Sequence, residues 1–250
     1  MKTTGQQANR PLPLDGAWNV RELGGYRTKD GRITRTGVFF RADGTSGLSR
    51  RDVETLRSLG VTLTADLRSP EEVAQCPSRF ADCEGMRYEN VVMFDGMQSA
   101  MFQGAVPETM GELYTALLDG ARPQFGRLFR LFLENTGASL FHCTAGKDRT
   151  GVTAMLLLSL AGVPEKTIVA DYAASEENLR EQSERQKAQF AARGIEIPPH
   201  VFGSRPQDME TALTHLNARY GGAEAYLRLC GLREEELAAL RSRFVGTSGA

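Results

Sequence analysis

Two hydrophobic periods share this chain. Val53, Leu56 and Leu59 recur at helical spacing behind Ser49, a good N-cap, until Gly60 ends the run. Val61 to Leu67 then alternates with β-branched residues and predicts a strand. In Ser69-Pro70-Glu71-Glu72 a capping serine precedes a proline suited to the first helical position, which predicts a short helix. Arg87 to Met93 reads as a further strand. Upstream, Gly24-Gly25 and Asp30-Gly31 predict tight turns between short strands, with Val38-Phe39-Phe40 a strand. Helices are expected over 108–119 and 123–134, separated by Gly120-Ala121-Arg122-Pro123. Ala138-Ser139-Leu140-Phe141-His142 is a short buried strand that runs straight into Cys143, and a helix follows from Thr150 to Ala161.

Beyond Val163-Pro164 the pattern is almost wholly helical. Ile168, Val169 and Tyr172 mark one helix. Residues 175–193 are densely charged with little apolar surface and predict an exposed helix. Pro198-Pro199 breaks the run, and helices fit 206–220, 223–229 and 233–243. The Gly- and Met-rich stretch 95–107 is weakly periodic and reads as a loop or mobile flap. There is no internal repeat. Strands mixed with helices, then a helical tail, predict one α/β domain over 14–245 behind a polar, disordered tail, 1–13.

A chain of 250 residues suffices to bury a full core. With 30 basic and 31 acidic residues the net charge is −1, which gives no support to nucleic-acid binding. The greasiest run, 154–161, falls far short of the roughly 18 apolar residues that span a bilayer, so no stable membrane insertion is expected. The N-terminus lacks the apolar core of a secretory signal. Cys76, Cys83, Cys143 and Cys230 form no C-x2-C pair, and the three histidines do not cluster with them. Neither a zinc site nor a disulfide framework is expected. Reduced thiols in a cytoplasmic compartment fit best, although a trimmed secreted form is compatible.

The chemistry concentrates in His142-Cys143-Thr144-Ala145-Gly146-Lys147-Asp148-Arg149-Thr150-Gly151. A loop between a strand and a helix curls its N–H groups toward one centre and makes an anion nest. The helix N-terminus adds positive potential. Gly146 permits the turn, and Arg149 on the first helical turn offers a planar fork for two phosphate oxygens. The same field favours the thiolate of Cys143, which attacks phosphorus to give a cysteinyl-phosphate that water hydrolyses. Thr144, Ala145, Gly146, Lys147, Asp148, Arg149 and Thr150 are the expected phosphate-binding residues, with the Thr150 hydroxyl placed to ease departure of the sulfur. A Cys and an Arg six apart occur by chance elsewhere, and most buried cysteines are inert. Here the strand, the glycine, the hydroxyl and the helix all accompany them. A nucleotide-binding P-loop is excluded, because Phe141 stands where its first glycine belongs and Asp148 where its Ser/Thr belongs.

This stretch resembles the signature of the bacterial and fungal tyrosine phosphatase family, which includes secreted listerial and mycobacterial tyrosine/lipid phosphatases. Asn19-Val20-Arg21-Glu22-Leu23-Gly24-Gly25-Tyr26 resembles its N-terminal block. Phe40-Arg41, Ala65-Asp66-Leu67-Arg68-Ser69 and Ile168-Val169-Ala170-Asp171-Tyr172 follow in the family order. The resemblance covers about 15–245 and is poor over 95–125. It implies a Cys-based phosphatase fold: a central, mostly parallel sheet flanked by helices, with a helical lid and C-terminal helices. It implies activity on phosphotyrosine, often with phosphoserine, phosphothreonine or phosphoinositides, and no metal or other cofactor.

The leaving oxygen needs a proton donor. The sole tryptophan, Trp18, precedes Asn19, so the Trp-Pro-Asp acid loop of conventional tyrosine phosphatases is absent. The resemblance implies Asp148 as the acid. Asp95, after a strand and before Gly96, is the alternative. Lys147 is expected either to meet extra inositol phosphates, as in a lipid phosphatase with a similar loop, or to be solvated. Asp66 and Arg68 are expected to pin the loop, and His142 to orient it. The expected partners are phosphoprotein or phosphoinositide substrates. A phosphatase acting on phosphotyrosine leads. A phosphoinositide phosphatase is the alternative, and a catalytically inactive phosphate-binding module is the reading from another class. The oligomeric state is not legible.

Overall fold

The computed structural model describes residues 9–93 and 108–246. Five strands form one sheet: β1 (Arg21–Glu22), β2 (Phe39–Ala42), β3 (Val61–Asp66), β4 (Arg87–Asn90) and β5 (Ala138–His142), in the order β1-β2-β5-β3-β4. β1 runs antiparallel to β2 and every other pairing is parallel. Ten α-helices accompany the sheet among the described residues. They are α1 (Arg50–Ser58), α2 (Pro70–Gln75), α3 (Met110–Gly120), α4 (Arg122–Glu134), α5 (Arg149–Leu160), α6 (Glu165–Asn178), α7 (Arg180–Ala192), α8 (Pro206–Tyr220), α9 (Ala223–Leu229) and α10 (Glu234–Phe244).

The period-two alternation of the strands feeds two cores. Phe39 and Phe141 enter the larger one, under α3, α4, α5 and α8 to α10. Their neighbours Phe40 and Leu140 enter the smaller one, with Val53 and Leu56 of α1. β5 lies between β2 and β3 with all five residues buried, the polar Ser139 and His142 included. α5 is buried on nearly every side, and its greasy sequence reflects that position. The parallel strands β2, β3 and β5 therefore end together, and the crevice beyond their carboxyl ends is where an α/β sheet takes ligands.

The predicted α/β class and most elements agree with the structure, and three differences have local causes. The 87–93 strand ends at Asn90, because β3 stops at Asp66 and the Asn90 amide turns back to the Asp66 and Arg68 carbonyls at 2.9 and 3.0 Å. Only Ala121 separates α3 from α4: its N–H donates to the Leu117 carbonyl and its own carbonyl accepts from Phe125. The charged helix does not begin at 175, since buried Leu179 ends α6 and α7 starts beyond it. Asp95 and the 95–107 segment lie outside the described residues.

Candidate active site

The Cys143–Asp148 turn joins β5 to α5. Its peptide bonds are trans, and its outer rim is held by donors from other elements. The Gly44 N–H donates to the Thr144 carbonyl at 2.9 Å. Asn19 Nδ2 donates to the Ala145 and Gly146 carbonyls, each at 3.2 Å, and Arg41 Nη2 donates to the Gly146 carbonyl at 2.8 Å. In a trans peptide N–H and C=O point opposite ways. Three carbonyls fixed outward therefore turn the N–H groups of Ala145, Gly146 and Lys147 inward, which is an anion nest. Gly146 has φ +67°, and a Cβ there would lie 2.3 Å from the Ala42 carbonyl oxygen. Only glycine fits.

Arg149 opens α5. Its Nη1 and Nη2 donate to the two carboxylate oxygens of Glu72 at 2.6 and 2.7 Å. Its Nε is buried and has no hydrogen-bond partner among the described residues. Arg149 and Cys143 line one cavity, and the Nε–Nη2 edge of the guanidinium keeps donors that Glu72 does not use. Burial alone would raise the Glu72 carboxyl, yet Arg149 and the Thr144 hydroxyl, which donates to Oε1 at 2.5 Å, bring it down to about 2. Glu72 is placed by its helix: it is the third residue of α2, in a capping box with Ser69.

Asp148 is 6% exposed, and among the described residues the hydrogen bonds to its carboxyl, from Tyr114 and Lys147, fall on Oδ1. Tyr114 Oη donates to it at 2.6 Å and Lys147 Nζ at 3.0 Å. Burial and the Asp148 charge push the Tyr114 phenol well above its ordinary range, so it stays a donor. Tyr114 also meets Tyr172 Oη at 2.7 Å. Lys147 is buried, and its ammonium also donates to the Gly203 carbonyl at 3.0 Å. It is not solvated. Thr150 Oγ1 is buried with no hydrogen-bond partner among the described residues.

His142 and Asp66 lie beneath the loop. The His142 Nδ1–H donates to the Cys143 carbonyl at 3.1 Å, and Nε2 is 3.5 Å from Asp66 Oδ2. Burial lowers the imidazole's proton affinity, which suits an orienting group. Arg68 grips both Asp66 oxygens at 2.8 and 2.6 Å and donates to the Cys76 carbonyl at 2.8 Å. That pair anchors the end of α2, hence Glu72, and meets the signature loop through His142.

The cavity holds about 260 Å³. Cys143, Thr144, Ala145, Lys147, Asp148 and Arg149 line one side of it. Leu179, Phe190, Ile197, Val201 and Phe202 contribute apolar surface from the end of α6, α7 and the segment beyond, with Gln182, Ser183 and Gln186 of α7 beside them. Glu72, Tyr114 and the loop-binding roles of Asn19 and Arg41 are not evident from the sequence. Glu72 reads there as a helix cap, which it also is.

The model of the tyrosine phosphatase family matches residues 12–246. A tyrosine-protein phosphatase of Nostoc commune is 36% identical over 225 residues, covering 85% of this chain and 75% of its own. A triple specificity protein phosphatase, PtpB, of Mycobacterium tuberculosis is 28% identical over 281 residues, covering 96% of this chain and 100% of its own.

Proposed function

This chain belongs to the tyrosine phosphatase family, and from that premise we propose that it hydrolyses phosphotyrosine through a cysteinyl-phosphate on Cys143. One observation carries the mechanism: Glu72 takes one edge of Arg149 while the buried Nε has no partner among the described residues. That leaves a two-donor edge, together with the N–H groups of the loop, for the equatorial oxygens of a phosphoryl group.

The Cys143 thiolate attacks phosphorus as the P–O bond to the tyrosyl oxygen breaks. Asp148 delivers a proton to the leaving oxygen from Oδ2, since Oδ1 is taken by Tyr114 and Lys147. Water then attacks the cysteinyl-phosphate, giving its proton to Asp148. The P–S bond breaks and thiolate returns. The Thr150 hydroxyl, buried without a partner among the described residues, is available to stabilise that departing sulfur. No step requires a metal ion, because the loop and Arg149 supply the positive charge. The nucleophile, arginine and acid are all present, which disfavours an inactive phosphate-binding module.

The apolar side chains of Leu179, Phe190, Ile197, Val201 and Phe202 suit a phenyl ring, and Gln182, Ser183 and Gln186 line the same cavity. Lys147, the residue that favours a phosphoinositide, has its ammonium committed to Asp148 and Gly203. The printed name of the mycobacterial relative nevertheless supports a second, broader reading that takes in phosphoserine, phosphothreonine or phosphoinositides. Substrates are thus phosphoproteins first and phosphoinositides second, and a reduced cytoplasmic compartment suits a thiolate enzyme. Initial rates on matched phosphotyrosine, phosphoserine and phosphothreonine peptides, beside soluble phosphoinositides, test this. The highest kcat/KM on phosphotyrosine is expected. A phosphoinositide preferred over every peptide would overturn it.

A further inference from the structure

Three sequence blocks have no part in the mechanism above: Asn19 to Tyr26, Phe40-Arg41, and Asp171-Tyr172. In the fold they converge on the outer rim of the loop. We propose that Arg41, Asn19 and Asp171 are positioning residues that hold the two peptides flanking Gly146 in their phosphate-binding orientation. The proposal rests on the reading that this loop binds phosphate.

Gly146 is indispensable for space and is also the loop's weak point. Glycine rotates about its backbone bonds at little cost, so the peptides on either side of it are the ones most prone to flip. A flip would point a carbonyl oxygen at the anion in place of an N–H and turn attraction into repulsion. Three hydrogen bonds guard these two peptides, two from Asn19 Nδ2 and one from Arg41 Nη2.

The donors are themselves fixed. Arg41 Nη1 donates to Asp171 Oδ2 at 2.5 Å. Arg21 Nε donates to Asp171 Oδ1 at 3.1 Å, its Nη2 to the Asp171 carbonyl at 2.7 Å, and its Nη1 to Asn19 Oδ1. The last contact sets the Asn19 amide so that its Nδ2 faces the loop. Arg21 and Arg41 have no solvent exposure, and Asp171 has 1%. Two buried guanidinium groups on one carboxylate are a poor source of stability, because desolvation offsets most of the attraction. Arg41 Nε even lacks a partner among the described residues. The arrangement makes sense as a rigid bracket for the Gly146 carbonyl. Tyr172, the next residue, reaches the other side of the loop through Tyr114 and Asp148.

Three readouts on Asn19→Ser and Arg41→Lys test the proposal: kcat/KM on a phosphotyrosine peptide, the competitive inhibition constant of inorganic phosphate, and the melting temperature. Serine is too short to reach both carbonyls. Lysine keeps the charge beside Asp171 but has no planar fork to bridge to Gly146. Both variants are expected to melt near the wild type, while phosphate inhibition weakens and kcat/KM falls, each by about tenfold or more. Folded variants whose phosphate inhibition and kcat/KM stay within about twofold of wild type would overturn the proposal. So would failure of both to fold, which would give these residues a purely structural role. If only Asn19→Ser folds, it decides alone. A wild type that neither hydrolyses the peptide nor is inhibited by phosphate would instead bring down the functional reading.

Discussion

Glu72 holds Arg149 by its Nη1–Nη2 edge at 2.6 and 2.7 Å, so one guanidinium serves a carboxylate and a free two-donor edge at once. A hydrogen bond to a charged group is worth about 1.5–3 kcal/mol. Glu72→Gln should therefore lower kcat/KM by roughly 10–100-fold, since Arg149 loses its fixed orientation. Arg149→Lys should be worse, by about 2.7–4 kcal/mol in transition-state stabilisation, because a point charge has no two edges. Steady-state kinetics on a phosphotyrosine peptide check both. A Glu72→Gln enzyme of normal activity would show that Arg149 is positioned by something else.

The same pair makes stability depend on pH. The Glu72 carboxyl titrates at about 2 in the folded chain against 4.5 when unperturbed. A depressed acid stabilises the fold above the unperturbed value, and the contribution fades as pH falls toward the folded one. Glu72→Gln should thus lower the melting temperature at neutral pH, with the difference from wild type shrinking between pH 4.5 and about 2. Melting curves of the two proteins at matched pH values measure it. A difference that grows on acidification would contradict the assigned ion pair.

Asp148→Asn should slow hydrolysis of phosphotyrosine strongly and that of an activated aryl phosphate much less, because a good leaving group needs no proton. The alkaline limb of the pH–rate profile should flatten. A mere change of field on Cys143 would slow both substrates alike. If Asp95→Asn shows this leaving-group signature and Asp148→Asn does not, the acid is Asp95.

Activity should be undiminished in excess EDTA, since the loop amides and Arg149 carry the positive charge that a metal would supply. Initial rates before and after chelation test this. Activity lost to the chelator and restored by a divalent ion would refute it.

What was legible in the sequence was local. Ala138 to His142 is a strand buried on both faces, and Gly146 is required by a turn that presses on Ala42, so this stretch carries its own structure. Ser49 and Ser69 cap α1 and α2 as their side chains suggest. What was hidden depends on long-range approach. Glu72 lies 77 residues from Arg149 and has a complete local explanation as a helix cap. Nothing local joins Tyr114 to Asp148, 34 residues on, or Arg41 to Asp171, 130 residues on. The breaks at Asn90 and Leu179 came from a side-chain hydrogen bond and a buried leucine, which hydrophobic period does not encode.

The central claim is that Cys143 is the nucleophile, and turnover by Cys143→Ser on a phosphotyrosine peptide, with peptide binding measured in parallel, tests it most directly. The serine hydroxyl does not ionise near neutral pH, while the loop amides and Arg149 stay in place. The account predicts that turnover falls by on the order of a thousandfold or more with binding retained. Turnover within about tenfold of wild type would contradict it.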